Sequence, residues 1–392
     1  MPTAALFPNL VEYHVTSMVR YATELKRALD EIQEPDWRFK SVECHHVGIA
    51  AKLMPGEAGR QMASRLGRMV KYPLVAANTR ADVYHVLDHS HANLVSKFPG
   101  DRTVITCHDL IPLLAMRGEI DIPVEPMWSK TFPYRVQCIE RCAMVLAISE
   151  STKRDLLRLT KLTAERVEVV YYGVNPNFGP AASREERAAE RRRLLAGMGV
   201  PDSDRVVMHV STGGPYKNTK ALLHALRALN CDQTRDGKTW LVRVGSEMSE
   251  EEQRLAASLG VASAIKSVGR ITSDTLLAQY YRAADVFAFP SIWEGFGWPP
   301  LEAMACGTPA VTSNVASLPE VVADGGRTVD PHDYDGLARS IREIMDDAGL
   351  RDTLSERSLR HARRFTWQTA ARRTLEVYKA VDARAQESLT RR

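Results

Sequence analysis

The sequence predicts an α/β protein of two domains, each a parallel sheet covered by helices. Three observations carry this. The chain has 392 residues, too long for one ordinary core and right for two. Short, β-rich apolar runs alternate with longer amphipathic ones through both halves, the pattern of parallel strands joined by helical crossovers. A turn-rich break, Gly173-Val174-Asn175-Pro176-Asn177 and then Gly179-Pro180, separates the halves.

In the first half the predicted strands are Thr3–Phe7, Phe39–Val47, Val83–Leu87, Thr103–Cys107, Met144–Ile148 and Val167–Tyr171. The clearest helix is Thr16–Leu29, where Val19, Ala22, Leu25 and Leu29 keep helical spacing. The first domain is expected over 1–178 and a linker over 179–203, with a charged helical run at Arg184–Leu195. The second domain is expected over 204–365. Its strands read Val206–Val210, Trp240–Val244, Ile265–Val268, Val286–Phe289, Ala310–Thr312 and Thr328–Val329. Helices follow over 336–348 and 351–364, and an amphipathic helix from Thr366 to Ala385 ends the pattern with no strand after it.

Composition excludes several classes. The hydrophobic fraction of 44% and charged fraction of 26% are those of a globular protein. Net charge is only +4, and residues 1–172 hold 22 basic against 20 acidic side chains, so bulk charge gives no case for nucleic acid. The six cysteines, Cys44, Cys107, Cys138, Cys142, Cys231 and Cys306, make no C-x-x-C pair and no zinc spacing. They read as reduced thiols. No 18-residue apolar run or signal-peptide core occurs, so a cytoplasmic protein is expected. Glu57–Val75 is basic and amphipathic, with Arg60, Arg65, Arg68 and Lys71 beside Met62, Leu66 and Met69. It reads as a solvated helix or as a rest for anionic lipid at the inner face of the membrane.

The chemistry concentrates between Pro290 and Pro309. The apolar run Val286–Phe289 ends there, Gly295 and Gly297 free the backbone to turn, and Pro299-Pro300 suit a helix start. Strand, glycine loop and helix N-terminus together aim backbone N–H groups and a positive helix end at one point, where phosphate fits. Glu294 in the loop can accept from sugar hydroxyls. Glu302, eight residues on, can accept from the two hydroxyls of a ribose.

This stretch, P-S-x-x-E-G-F-G-x-P-x-L-E-A-M-A-C-G-x-P, resembles the signature of glycosyltransferase family 4, the retaining GT-B enzymes. The resemblance extends from Asp285 to Ser291 upstream and through Val311–Val322 to Pro331 downstream. It implies two Rossmann-like domains facing a central cleft, with the segment 366–392 crossing back to the first domain. It also implies transfer of a hexose from a nucleotide-sugar, with retention and with no cofactor or metal. Glu294 would then contact the donor sugar and Glu302 the ribose. Gly295, Phe296, Gly297 and Leu301 would complete the donor loop.

Two further segments fit the donor side. Val206–Val210 runs into Ser211-Thr212-Gly213-Gly214-Pro215-Tyr216-Lys217-Asn218 and a helical run, placing a loop lysine at a helix start as a diphosphate partner. The family often has Arg-Lys-Asn there, and here Tyr216 stands where Arg is common. Val268, Gly269 and Arg270 resemble the turn beside the nucleotide base. In the first half, Thr103–Pro112 resembles the family's T-x-H-D-L strand end, which puts His108 at the carboxyl edge of the sheet, with a catalytic role implied, and Asp109 on the acceptor side or in a turn. The Val83–Asn93 segment carries His85, His89 and His91; His89 is expected on the acceptor side, and alternation argues against metal. Ser149 ends a strand, and Ser151 or Thr152 is expected to cap the next helix. The family's N-terminal glycine loop is replaced by Val15-Thr16-Ser17-Met18, where Thr16 and Ser17 are expected to serve the acceptor instead.

The resemblance to mannosyltransferases of polysaccharide assembly favours GDP-mannose, with UDP-sugars next. The resemblance implies a glycan, a lipid-linked glycan or a small molecule as acceptor. A sugar-nucleotide epimerase, a phosphorylase and a nucleotide-binding pseudoenzyme are the other classes left open.

Overall fold

The apolar runs read as strands form two six-stranded sheets, parallel at every pairing. The computed structural model describes residues 1–10, 16–32, 34–45, 57–123, 126–231 and 237–390. The chain divides into two compact units, Met1–Gly173 with Trp367–Arg392, and Val174–Thr366.

The first unit contains β1 (Thr3–Phe7), α1 (Thr16–Glu31), β2 (Arg38–Ser41), α2 (Glu57–Leu66), a π-helical stretch (Gly67–Lys71), α3 (Tyr72–Ala77) and β3 (Val83–Val86). A 3₁₀ stretch (His89–Lys97), β4 (Thr103–Cys107), α4 (Ile111–Met116), α5 (Pro126–Glu140), β5 (Met144–Ala147), α6 (Glu150–Leu159) and β6 (Val167–Val169) follow. Strand order is β2-β1-β3-β4-β5-β6. The inner strands β3, β4 and β5 are buried at every residue, as helices on both faces of a parallel sheet require. The edge strand β2 carries exposed Arg38 and Lys40, charges that discourage further pairing. The strand expected over Phe39–Val47 stops at Ser41, because its partner β1 ends at Phe7 and Leu6 already faces Ser41. Its last two residues lie outside the described residues.

The second unit contains α7 (Arg184–Gly197), β7 (Arg205–Ser211), α8 (Thr219–Asn230), β8 (Thr239–Gly245), α9 (Glu250–Ser258), β9 (Ile265–Gly269), α10 (Asp274–Ala283), β10 (Val286–Phe289) and α11 (Trp298–Ala305). Then come β11 (Ala310–Ser313), α12 (Leu318–Val322), β12 (Gly326–Val329), α13 (Tyr334–Asp346) and α14 (Ala348–Ala362). Strand order is β12-β11-β10-β7-β8-β9, so the sheet grows outward in both directions from the β7–β10 pair. That pair is the topological switch point, and the crevice at its carboxyl end is where such sheets bind ligands.

The stretch 179–203, expected between the domains, falls inside this unit. Ser183 caps α7 by accepting from the Glu186 amide at 3.2 Å. The guanidinium of Arg282 on α10 holds the Glu190 carboxylate in two bonds of 2.7 and 2.6 Å, and Arg187 donates to the Arg282 and Ala284 carbonyls.

The last helix, α15 (Trp367–Thr390), belongs to the first unit and packs along α1. Its buried Trp367 lies 6.1 Å from the Tyr21 ring and 6.2 Å from the Tyr172 ring. A Cβ on Gly173 would come within 2.3 Å of the Trp367 amide nitrogen, so this approach needs glycine. Tyr378 is also fully buried, with its hydroxyl 2.6 Å from His85 Nδ1. His85 Nε2 meets Thr106 Oγ1 at 2.8 Å, and that oxygen meets the Tyr21 hydroxyl at 2.8 Å. One polar chain thus ties α15, β3, β4 and α1 together. Burial pushes the His85 pKa down to about 3, so the ring is neutral.

Candidate functional site

The loops after β7 and β10 flank the switch point of the second sheet. They carry the glycines and the acid–base pair that the sequence singles out. After β7, Gly213 and Gly214 take φ of +87° and +102°. The Gly213 amide donates to Ser211 Oγ at 3.0 Å. Lys217 then enters a single 3₁₀ turn (Pro215–Lys217), and Asn218, in the left-handed region at φ 55°, opens α8. The Asn218 side-chain amide donates to the Pro290 carbonyl at 2.9 Å and to the Pro331 carbonyl at 2.7 Å. It binds the β7 loop to the ends of β10 and β12.

The Lys217 ammonium meets the Glu294 carboxylate at 2.6 Å. The two side chains are only 11% and 13% exposed, so the contact is screened by solvent far less than a surface ion pair. The ammonium also lies 4.8 Å from the Tyr216 ring centre and 5.0 Å from that of Phe289, within cation–π reach. Burial opposes the Lys217 charge, but the Glu294 carboxylate and Tyr216 more than offset it, and the lysine pKa is raised. Tyr216 therefore lines the same spot as the charge, with its carbonyl accepting from the Ile292 amide at 2.7 Å.

The Glu294 loop is held from outside. Ser317 Oγ lies 2.9 Å from the Glu294 carbonyl and 2.6 Å from the Phe296 carbonyl, and Ser313 Oγ donates to the Ser291 carbonyl. Phe296 is buried edge-on against Phe365, at 6.0 Å, while Gly295 is half-buried. Gly297 caps α11 at φ +111°, and a Cβ there would meet Leu318 Cδ2 at 2.9 Å. Leu301 and Glu302 follow on α11, both buried. The Glu302 carboxylate accepts from the Tyr281 hydroxyl at 2.9 Å. Val268 and Gly269 end β9, beside a register shift where Gly269 faces Val244, and Arg270 is exposed just past it.

The first-unit residues sit differently. His108 is buried, with Nε2 donating to the Leu87 carbonyl at 2.9 Å and Nδ1 hydrogen-bonded to the Tyr172 hydroxyl. A carbonyl only accepts, so Nε2 carries the proton and Nδ1 accepts from the tyrosine. Burial lowers the His108 pKa, opposed in part by Asp88. Both ring nitrogens are thus committed within the unit. His89 is buried and accepts from the His108 amide at 3.3 Å. Asp109 accepts from the Ile111 amide at 3.0 Å, the turn geometry. Thr16 starts α1 and Ser17 is half-buried in its first turn; Val15 lies outside the described residues. The helix cap expected from Ser151 or Thr152 is Ser149 instead, which accepts from the Thr152 amide at 3.0 Å. Its extended backbone aims the hydroxyl at the helix while the next two residues are already helical.

Sequence reasoning missed Ser317, Ser313, Tyr281 and Tyr172. Nothing in a lone hydroxyl residue marks it as a partner to a distant loop. Among the described residues, no group of three or more His, Cys, Asp or Glu side chains is placed to hold a metal ion.

The family profile "Glycosyl transferases group 1" matches residues 190–361, and "Glycosyltransferase Family 4" matches 11–178. The chain is 37% identical over 390 residues to a D-inositol 3-phosphate glycosyltransferase of Salinispora arenicola, covering 91% of this chain and 86% of that protein. It is 30% identical over 340 residues to the serotype-specific mannosyltransferase WbdA of Escherichia coli, covering 84% of this chain. The match spans 40% of that protein, so this chain answers to about two fifths of its length. In fold it is similar to sucrose-phosphate synthase from Thermosynechococcus elongatus, with TM-score 0.73, 19% identity and 98% and 100% of the two chains covered. It is also similar to Anabaena HepE in complex with UDP and glucose, with TM-score 0.71, 17% identity and 97% and 100% covered.

Proposed function

The chain belongs to the glycosyltransferases of group 1 and family 4, built on the GT-B fold, and from that premise we propose that it is a hexosyltransferase that moves a sugar from a nucleotide-sugar donor onto a glycan, lipid-linked or small-molecule acceptor. The observation that carries this is the largely buried Lys217–Glu294 pair, 2.6 Å apart, between two glycine loops at the switch point of the second sheet. A diphosphate needs the cation and the N-terminus of α11. A sugar needs a carboxylate for its hydroxyls.

In this reading Lys217 and the α11 dipole stabilise the charge that develops on the departing nucleoside diphosphate. They supply the electrostatics that a divalent ion supplies in other transferases, so the reaction is proposed to run without metal. Glu294 orients the sugar, Glu302 takes the ribose once Tyr281 shares or yields its carboxylate, and the turn from Val268 to Arg270 meets the base. Transfer is proposed to proceed with retention. His108 would have to release one of its two hydrogen bonds to touch a substrate, so the reading places the bond-breaking chemistry on the second unit's residues. His89, Asp109, Thr16 and Ser17 are proposed for the acceptor side.

GDP-mannose is the favoured donor, supported by the similarity to the WbdA mannosyltransferase. A UDP-sugar is the second reading, supported by the likeness to HepE with UDP and glucose. The protein is proposed to work in the cytoplasm at the inner face of a membrane. No helix among the described residues is long and apolar enough to cross one, but Met62, Leu66, Met69, Val70 and Leu74 are exposed beside Arg65, Arg68 and Lys71, a face that suits anionic lipid.

The test is a thermal shift of the pure protein in EDTA with GDP, UDP, ADP, GDP-mannose and UDP-glucose. Stabilisation by the guanosine compounds is expected. Stabilisation by the uridine compounds alone would move the reading to a UDP-sugar, and no stabilisation by any of them would favour a pseudoenzyme.

A further inference from the structure

We propose that Ser317 is a positioning residue for Glu294, acting through the backbone of the donor loop; the inference rests on the reading of Glu294 given above. Ser317 lies just before α12 and is fully buried, so it touches no ligand itself. Its one hydroxyl proton is shared between the Glu294 carbonyl at 2.9 Å and the Phe296 carbonyl at 2.6 Å. Two carbonyls two residues apart must both turn toward that point, which closes the loop into a tight bend. The bend delivers the chain to Gly297 at φ +111° and leaves the Glu294 side chain against Lys217.

The rest of the loop is fastened elsewhere. Asn218 holds the Pro290 carbonyl and Ser313 holds the Ser291 carbonyl, and the Ile292 amide is bonded to Tyr216. Those ties end two residues before Glu294. Ser317 grips the carbonyl of Glu294 itself, and it does so from the N-cap of another element, α12, whose first residue, Leu318, faces Gly297. Without the hydroxyl, the Glu294 and Phe296 carbonyls both lose the hydrogen bond that draws them to one point. The loop then relaxes to find water, and the carboxylate moves with it. A displacement of about 1 Å in a sugar-orienting group can cost roughly a hundredfold in rate.

The experiment is a double-mutant cycle of Ser317→Ala and Glu294→Gln, read as GDP release from GDP-mannose with KM and kcat separated, and as the calorimetric Kd of GDP. Ser317→Ala is expected to lower kcat about 30-fold while KM for the donor and Kd for GDP stay within about threefold. In the Glu294→Gln background the same change should cost less than about twofold, because the group it positions is gone. Ser317→Thr, which keeps the hydroxyl, should recover most of the lost kcat. A fall by the same factor in both backgrounds would mean that Ser317 only supports the fold, and wild-type kcat in Ser317→Ala would also overturn the proposal. If the alanine variant does not fold, Ser317→Cys keeps the volume with a weaker donor and carries the same cycle. Full activity in Glu294→Gln alone would instead remove the reading of Glu294, and this proposal with it.

Discussion

Lys217 and Glu294 stand 77 residues apart in the chain and 2.6 Å apart in the fold. In the free protein the carboxylate occupies the ammonium that a diphosphate would take. Glu294→Gln is therefore expected to do two opposite things. Turnover should fall by at least about a hundredfold, since the sugar exchanges a charged, two-oxygen acceptor for a neutral amide with one. Affinity for GDP or UDP should rise, by roughly tenfold, because a buried cation is left without its partner anion. Calorimetry on the pure variant checks this, and a weaker or unchanged Kd would show that the lysine is not where the phosphates bind. Lys217→Met should weaken the same binding. The raised lysine pKa means that, while the carboxylate is ionised, the pair's contribution to stability is present below an ordinary lysine's pKa and is lost as pH rises through the raised value. Assays between about pH 6 and 9 thus read the intact pair. The replacement of the family's common Arg by Tyr216 also makes sense at this scale, since its ring faces the ammonium at 4.8 Å.

At the scale of elements, the donor loop works only if the chain can pass from β10 into α11 through a left-handed residue. Gly297→Ala places a Cβ at φ +111° and within 2.9 Å of Leu318. It should cost about 1–3 kcal/mol of stability and remove nucleotide-induced stabilisation in the thermal-shift assay; a variant that still shifts with nucleotide would show that the loop tolerates another path. The α2–α3 region makes a separate prediction. Met69 and Leu74 are 66% and 59% exposed, with no acidic residue between Ala58 and Ala81. Sedimentation with phosphatidylglycerol vesicles should bring the protein down, phosphatidylcholine vesicles should not, and a Met69→Glu, Leu74→Glu double variant should stay in solution. Equal recovery of the variant on anionic vesicles would return this face to the role of a solvated helix.

For the whole molecule, the buried histidines set an acid limit. Burial lowers the pKa of His85, His91 and His209 to about 3, two of them in the first unit and one in the second. The unfolded chain takes up protons first as pH falls below about 6.5, so stability should drop by up to about 1.4 kcal/mol per pH unit for each ring. Urea midpoints measured at pH 7.5, 6.0 and 5.0 should fall steadily; a flat profile would mean these rings are hydrated or already charged. The sequence by itself determined the inner strands and the segments that matter, because parallel strands buried on both faces are continuous apolar runs and because glycine loops before helices leave a local mark; the edge strand expected over Phe39–Val47 it read too long. The run at Val83–Leu87, whose strand ends one residue earlier at Val86, and the glycines around Glu294 could be read with no fold in hand. What only the tertiary structure decided was which side chains meet. Glu294 with Lys217, Ser317 with the donor loop, Glu302 with Tyr281, His108 with Tyr172 and Tyr378 with His85 all join residues from different elements. Strand order places such partners, and a linear pattern holds periodicity but not the distances between strands that sheet pairing alone sets.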